Sequence, residues 1–213
     1  MKKWVYAFNA QKTEGNKGMR ELLGGKGAYL AEMSSLGLPV PPGFTISTEA
    51  CLDYYKNNRG INSEVKKEAE AALQLVEEIT GKKFGDNKNP LLFSVRSGAK
   101  VSMPGMMDTV LNLGLNSEAV EGLAKVTNNP RFAWDSYRRF IQMYSDVVLG
   151  MNTSVFDSVM EDLKEARNVK EDTALETDDL KELVQAFKKI VLEDRGVSFP
   201  NDPYDQLWGA IGA

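Results

Sequence analysis

The apolar positions at the start of the chain repeat with a period of two. Trp4, Tyr6 and Phe8 occupy alternate positions, a spacing that predicts a strand over residues 3–8. The polar segment after Phe8 is typical of a loop, and helical spacing of apolar residues begins at Gly24. The chain is therefore expected to open with a strand and a loop that lead into a helix.

The helix predicted from Gly24 ends at a clear stop signal. Leu30, Met33 and Leu36 lie near one face of this helix, and Gly37 follows as a C-terminal glycine. The face that carries the three apolar residues is expected to be buried.

Two short strands are predicted around a loop of unusual composition. A strand over "FTIST", a helix with Thr48 as candidate N-cap and a helix that ends at Gly81 come first. "LLFSVR", after Pro90, is apolar enough for a buried strand, and "TVLNLG" has the pattern of the returning strand. Residues 97–108 then form the loop between these two strands.

Only helices are predicted after Asn116. Asn129 and Pro130 are typical N-cap and first-turn residues of a long helix, and further helices follow over 153–168 and from Thr177. The final segment "SFPNDPYDQLWGAIGA" has a helical pattern but no evident cap or stop signal. We therefore expect the sequence to be a fragment that is cut within an element.

Composition and charge exclude several classes of function. A net charge of −4 argues against nucleic-acid binding, and no apolar run has the length that a membrane span needs. The single cysteine, Cys51, excludes an intramolecular disulfide and favours a reducing, cytoplasmic setting, and we expect it to be a small buried residue. The chain has no histidine, which removes the commonest general base, metal ligand and phosphoryl carrier.

Lys26 is the first candidate for binding chemistry. It lies between Gly25 and Gly27 at a predicted helix start, where glycines allow close backbone approach and the helix N-terminus favours an anion. The glycine spacing differs from that of a Walker A loop. A phosphate site and a simple glycine turn with an exposed lysine both fit this pattern.

The second candidate is Arg96, at the end of a predicted strand. An arginine there can clamp a phosphate with two parallel hydrogen bonds, or it can form a structural ion pair. The loop "SGAKVSMPGMMD" has small residues whose backbone N–H groups could wrap a triphosphate. Its three methionines suit either a lid over a flat base or simple loop packing. Asp108 could hold Mg²⁺ or cap the turn.

Several long motifs resemble one enzyme family. "MRELLGGKGAYLAEM", "PVPPGFTISTEAC", "GKKFGD", "LLFSVRSGAKVSMPGMMDTVLNLGLN" and "NPRFAWDSYRRFIQMYSDVV" are similar to the N-terminal, nucleotide-binding region of pyruvate, phosphate dikinases. The lysine motif is shared with phosphoenolpyruvate synthases and other dikinases. The methionine loop is more specific to the pyruvate, phosphate enzymes.

The resemblance implies an α/β fold that is part of an ATP-grasp-like nucleotide-binding domain, a mixed sheet with helices. Residues 1–115 would be the first lobe, 116–197 an inserted all-α subdomain, and 198–213 the start of the truncated return segment. The family enzymes are phosphotransferases that convert ATP, phosphate and pyruvate into AMP, pyrophosphate and phosphoenolpyruvate. They act through a phosphohistidine on a swivelling domain.

The resemblance also implies roles for individual residues. Lys26 matches the family's nucleotide-phosphate lysine, Arg96 matches its catalytic arginine, and residues 98–108 match its phosphate-covering loop. The implied nucleotide- and phosphate-binding residues are Gly24, Gly25, Gly27, Ser97, Gly98, Ser102, Met103, Gly105, Met106, Met107 and Asp108.

The parts that the sequence lacks are expected to be its partners. These are the second ATP-grasp lobe, the phosphohistidine domain and a (β/α)₈ barrel for pyruvate, and the whole enzyme is expected to be a homodimer. ATP is the implied substrate, and the Mg²⁺ ligands are expected mainly beyond Ala213, with none in this fragment. A phosphoenolpyruvate synthase or a non-catalytic nucleotide-binding module are the alternatives.

Overall fold

The structure, a computed structural model, describes residues 2–98 and 108–213. The described residues form two compact units. Of the described residues, unit 1 contains 2–81, 96–98, 108 and 212, and unit 2 contains 82–95, 109–211 and 213. The chain therefore leaves unit 1, enters unit 2, returns to unit 1 around Arg96 and enters unit 2 again.

Helices and short strands share the described chain, which confirms the mixed α/β class. The strands are β1 (Val5–Phe8), β2 (Gly43–Ile46), β3 (Lys83–Phe84), β4 (Pro90–Leu91), β5 (Phe93–Arg96) and β6 (Thr109–Leu113). The helices are α1 (Arg20–Ser35), α2 (Thr48–Lys56), α3 (Ser63–Thr80), α4 (Ala119–Thr127), α5 (Pro130–Val147), α6 (Ser154–Arg167), α7 (Thr177–Arg195) and α8 (Pro203–Gly212). Within the described residues the strands pair as β1–β2, β3–β4 and β5–β6, three small sheets where one mixed sheet was expected.

Unit 1 is built on the antiparallel pair β1–β2. Val5 lies opposite Ile46 and Phe8 opposite Gly43, and α1 and α3 pack against both strands. The Glu68 carboxylate of α3 accepts hydrogen bonds from the N–H groups of Trp4 and Val5, at 2.8 and 2.9 Å. A side chain thus supplies acceptors that a further strand would otherwise provide.

The buried face of α1 differs from the predicted one. Ala28 and Ala31 are buried, whereas Leu36 is 70% exposed and Leu30 and Met33 are only partly covered. Small residues on the inner face bring the helix axis close to the strands, so the longer apolar side chains point away from them. The predicted stop at Gly37 is confirmed, because this residue has a φ of +74° just after the helix.

Two predictions about α2 are wrong. Ser47, not Thr48, caps the helix, because its hydroxyl accepts a hydrogen bond from the Ala50 N–H at 3.3 Å. Cys51 is exposed on the outer side of α2 instead of buried. The predicted end of α3 at Gly81 is confirmed, since this residue adopts the left-handed conformation with φ +66°.

Helix α5 forms the core of unit 2. Tyr137, Phe140 and Ile141 are fully buried on it, and it packs against α4, α7 and β6. Its predicted start is confirmed, because the Asn129 side chain accepts a hydrogen bond from the Phe132 N–H at 3.0 Å and Pro130 opens the helix. Helix α5 thus buries a face of aromatic and aliphatic side chains.

Helix α8 has the N-cap that the sequence pattern did not reveal. The Asp202 carboxylate accepts hydrogen bonds from the N–H groups of Tyr204 and Asp205, at 2.7 and 3.3 Å. The fully buried Gln206 side chain accepts from the Gly114 N–H at 3.0 Å. It also donates to the carbonyls of Leu115 and Pro200, both at 2.9 Å. One buried amide therefore ties α8 to the chain that follows β6.

The segment predicted as one buried strand is divided and half exposed. Leu91 ends the short strand β4 and is buried, whereas Ser94 and Arg96 of β5 are exposed. The predicted boundary near residue 116 falls inside unit 2.

No helix within residues 2–98 or 108–213 is long and apolar enough to cross a membrane.

Glu14 is expected to make unit 1 sensitive to acid. Burial raises the pKa of its carboxyl, but hydrogen bonds from Lys3, the Ala7 N–H and Lys12 outweigh burial and lower the pKa to about 2. Because the folded pKa is below the ordinary 4.5, the stabilisation is complete above about pH 4.5 and is lost as the pH falls towards 2. Glu14→Gln should lower the free energy of unfolding at pH 7 by about 1–3 kcal/mol and flatten its dependence on pH in this window.

Urea denaturation between pH 7 and pH 2.5 measures this effect. Glu49→Gln is the control, because Glu49 also pairs with a lysine but its side chain is 46% exposed. Equal losses of stability for the two variants, or an unchanged pH profile for Glu14→Gln, would contradict the assignment.

Candidate functional site

Helix α1 is interrupted at Gly24. This residue has a φ of +68° and a ψ of 171°, a combination that is almost confined to glycine. The helix therefore consists of one turn, Arg20–Leu23, and a second stretch that continues to Ser35. The predicted helix start at the glycines corresponds to the start of this second stretch.

Lys26 lies at the N-terminal end of the second stretch. Because the chain leaves helical geometry at Gly24, the first N–H groups of this stretch lack the acceptors of a continuous helix. The positive end of the helix dipole and the lysine ammonium then favour the same anion. Lys26 is half-buried, and within residues 2–98 and 108–213 its side chain has neither a hydrogen-bond nor an ion-pair partner.

Gly27 has a packing reason to be a glycine. It is buried on the inner face of α1, and a Cβ atom there would lie 2.6 Å from the Thr45 Cγ2 atom of β2. The missing side chain lets α1 lie directly on β2, so the backbone that follows Lys26 is held against the sheet. Gly25 is partly exposed beside Lys26.

Arg96 is the last residue of β5, and its side chain is exposed. In the part of the chain that the structure describes, the Arg96 side chain makes no ion pair or hydrogen bond. The structural ion pair considered from the sequence is therefore not formed there. Arg96, Ser97, Gly98 and Asp108 belong to the same compact unit as Lys26. A free guanidinium at a strand end is available to an anionic ligand.

Ser97 and Asp108 bring the two ends of the predicted loop together. The Ser97 N–H and hydroxyl both donate to the Asp108 carbonyl, at 3.2 and 3.3 Å. Gly98 is exposed, with open space around its Cα. The contact of Asp108 is thus made by its backbone, which suits the turn role considered from the sequence. The predicted site residues Ser102, Met103, Gly105, Met106 and Met107 lie outside the described residues.

The described residues do not form a metal site. No three Cys, Asp or Glu side chains among residues 2–98 and 108–213 come together in a way that could hold a metal ion. A shallow groove of about 250 Å³ between α6 and α7 is lined by Val159, Leu163 and Leu183 and contains none of the predicted site residues.

Sequence reasoning missed the side chains that hold the break in α1. Arg20 stacks on Tyr29 from the other side of the break, and the Thr48 hydroxyl donates to the Glu21 carbonyl. Only the paired glycines signalled the break itself. The contacts join residues that are far apart in the helical pattern, so no local motif marks them.

Comparison with known proteins gives a consistent result. Residues 20–74 match the family model described as pyruvate phosphate dikinase, AMP/ATP-binding domain. The pyruvate, phosphate dikinase of Clostridium symbiosum is 56% identical over 214 residues, which cover all of this chain and 24% of that protein. That of Rhizobium meliloti (strain 1021) is 52% identical over 213 residues, again 24% of its length. The chloroplastic enzyme of Mesembryanthemum crystallinum is 53% identical over 211 residues, 22% of its length.

The chain is thus similar over its length to a segment of pyruvate, phosphate dikinases. It spans about a quarter of the length of the curated relatives it matches. The family-model match includes Lys26 and the whole of the broken helix α1 but ends before Arg96.

Replacing Gly24 inside α1 should cost more stability than replacing Gly37, the glycine that follows the end of this helix. Gly24→Ala places a side chain in a conformation that is almost confined to glycine and should cost about 1–3 kcal/mol. Gly37→Ala, with φ +74° and open space around it, should cost about 1 kcal/mol. Urea denaturation of both variants measures the difference, and an equal or smaller loss for Gly24→Ala would show that the break carries no conformational demand.

Proposed function

We propose that this chain is the segment of a pyruvate, phosphate dikinase that binds the phosphates of ATP. The whole enzyme would convert ATP, phosphate and pyruvate into AMP, pyrophosphate and phosphoenolpyruvate. The observation that carries this proposal is the match of residues 20–74 to an AMP/ATP-binding domain, because this range contains the interrupted helix α1 with Lys26 at its second start.

In this proposal the chain supplies part of an ATP-grasp-like domain. Residues 1–115 are the first lobe, residues 116–197 are an inserted helical subdomain, and residues 198–213 begin the return. The regular elements described between Asn116 and Val197 are all helical, which supports the assignment of the insertion. The second lobe, the phosphohistidine domain and the pyruvate-binding barrel belong to the rest of a cytoplasmic, homodimeric enzyme.

Phosphoryl transfer depends mainly on positioning and on neutralising charge, so the residue types of this chain suit a share of it. Lys26 and the N–H groups at the start of the second stretch of α1 bind the phosphate oxygens. Arg96 donates hydrogen bonds to the phosphoryl group that is transferred. Residues 98–108 correspond, by the family resemblance, to the loop that covers the phosphates.

The group that accepts the phosphoryl lies outside this sequence. Since the chain has no histidine, a phosphohistidine has to be formed on another part of the enzyme. Mg²⁺, when bound, neutralises phosphate charge, and its ligands belong to the second lobe. The part described here therefore binds and orients ATP, and turnover needs the whole protein.

The reaction itself can be tested on the full-length protein. ATP, Mg²⁺ and pyruvate are supplied with and without inorganic phosphate, and the products are separated by ion-exchange chromatography. We expect phosphoenolpyruvate only when phosphate is present, together with AMP and pyrophosphate. Formation without added phosphate and with release of phosphate would identify a phosphoenolpyruvate synthase instead, and no product in either mixture would refute a dikinase.

Arg96→Ala should nearly abolish the first half-reaction. ATP labelled in the β-phosphate marks the protein whether or not the γ-phosphate has left, so retained label measures phosphorylation of the histidine. Loss of an arginine that stabilises the transferred group should slow labelling by about 10³-fold or more. The melting temperature should not change, because this side chain is exposed and without a partner among the described residues.

Arg139→Ala is the matched control for Arg96→Ala. Arg139 is also exposed, at 62% of its side chain, and among the described residues it forms an ion pair with Asp135 of α5. It should label at the rate of the unchanged protein. Labelling of Arg96→Ala within tenfold of that rate would remove Arg96 from the reaction.

A further inference from the structure

The first turn of α1, Arg20–Leu23, is held in place by a hydrogen bond from another helix. The hydroxyl of Thr48, the first residue of α2, donates to the Glu21 carbonyl at 2.7 Å. The two residues are 27 positions apart in the chain, so this bond fixes the turn from outside its own helix.

This hydrogen bond is made to the turn that directly precedes the interruption at Gly24. Carbonyls in the last turn before an interruption lose the regular series of donors from the next turn. The Thr48 hydroxyl gives the Glu21 carbonyl a donor that does not come from α1. In a continuous helix, an N–H group of the next turn would donate to the Glu21 carbonyl. The N–H groups near Lys26 would then be used within the helix and could not bind a ligand.

The neighbouring residue leaves Thr48 free for this contact. Ser47 caps α2 by accepting the hydrogen bond of the Ala50 N–H, so the Thr48 hydroxyl is not needed for capping. Two adjacent hydroxyl residues therefore act on different helices. Ser47 starts α2, and Thr48 joins α2 to the turn that precedes Gly24.

A second contact spans the interruption on its exposed side. The Arg20 guanidinium lies over the Tyr29 ring, 4.7 Å from its centre, and donates to the Tyr29 hydroxyl. Arg20 belongs to the turn before Gly24 and Tyr29 to the stretch after it. With Thr48 on one residue of the turn and Tyr29 on another, two contacts oppose a rotation of the turn that would close the interruption.

We propose that Thr48 is a positioning residue for the phosphate site. Its hydroxyl holds the turn Arg20–Leu23 in the orientation that keeps α1 interrupted, and so keeps the N–H groups beside Lys26 available to the phosphates of a nucleoside triphosphate. This inference rests on the proposed ATP site and adds a residue that does not itself touch the ligand.

The test compares three variants of the full-length protein. Thr48→Val keeps the β-branched shape and removes the hydroxyl, whereas Thr48→Ser keeps the hydroxyl. Thr80→Val is the matched control, because the Thr80 hydroxyl also donates to a backbone carbonyl, that of Val76 within α3 of the same unit, at 2.8 Å. The Kd for ATP is measured by titration calorimetry, and KM for ATP, kcat and the melting temperature are measured alongside.

We expect Thr48→Val to weaken ATP binding about 3- to 10-fold, the range for one lost hydrogen bond. KM for ATP should rise by the same factor, with kcat unchanged at saturating ATP. Thr48→Ser should restore the Kd to within twofold of the unchanged protein, and Thr80→Val should not alter it. A purely structural role would lower the melting temperature without this separation of KM from kcat.

Two results would overturn the inference. One is a Kd for Thr48→Val within twofold of that for Thr80→Val, in a protein whose unchanged form binds ATP. The other is a loss of affinity that Thr48→Ser shares in full. Failure of the unchanged protein to bind ATP would instead refute the proposed function, and the inference with it.

Discussion

Helix α1 cannot be continuous, because Gly24 holds a backbone conformation that no helix contains. The rest of unit 1 is arranged around this interruption. Gly27 and the two alanines after it bring the second stretch down onto β1 and β2, while Arg20 and Thr48 hold the turn before it. A helix N-terminus is thereby created inside a helical segment, on a support that is packed on one side and open on the other. A lysine placed there can meet an anion without disturbing the core.

The two predicted cations lie in different elements and have one property in common. Lys26 is carried by a helix and Arg96 by the end of a strand, and neither is paired within the described residues. Other cations, such as Lys3 and Arg138, form ion pairs with carboxylates. An exposed cation is solvated by water, so a missing ion pair costs the fold little and leaves the charge available to a ligand.

Sequence patterns predicted the parts of the fold that depend on local signals. The strand at β1, the glycine at the end of α3 and the cap at Asn129 follow from the identity of adjacent residues. Patterns failed where tertiary packing decides. The long side chains of Leu30 and Leu36 looked like the inner face of α1, but alanines on the opposite side allow closer contact with the sheet. The segment around α8 was predicted to be helical without an evident cap, although Asp202 and Pro203 form the same kind of pair as Asn129 and Pro130.

The residues of the candidate site fall into the same two groups, those that local sequence signals reveal and those whose contacts depend on tertiary packing. Lys26, Arg96 and their glycines carry recognisable chemistry and could be found from the sequence, whereas Thr48 was assigned to the wrong task. Its hydroxyl looked like a cap for α2 because it stands where a cap is common. Which of two neighbouring hydroxyls caps a helix depends on the tertiary contacts of each side chain. The spacing of residues in the sequence does not predict these contacts.

The path of the chain between the units has a consequence for inheritance. Arg96 and Asp108 belong to unit 1 but are encoded between two segments of unit 2. A single recombination between related genes at any point from residue 82 to residue 108 would give a protein in which unit 1 comes partly from each parent. Exchange of unit 2 as a whole needs several crossovers that leave the Arg96 segment behind, so Arg96 and the helix with Lys26 will tend to diverge as one lineage.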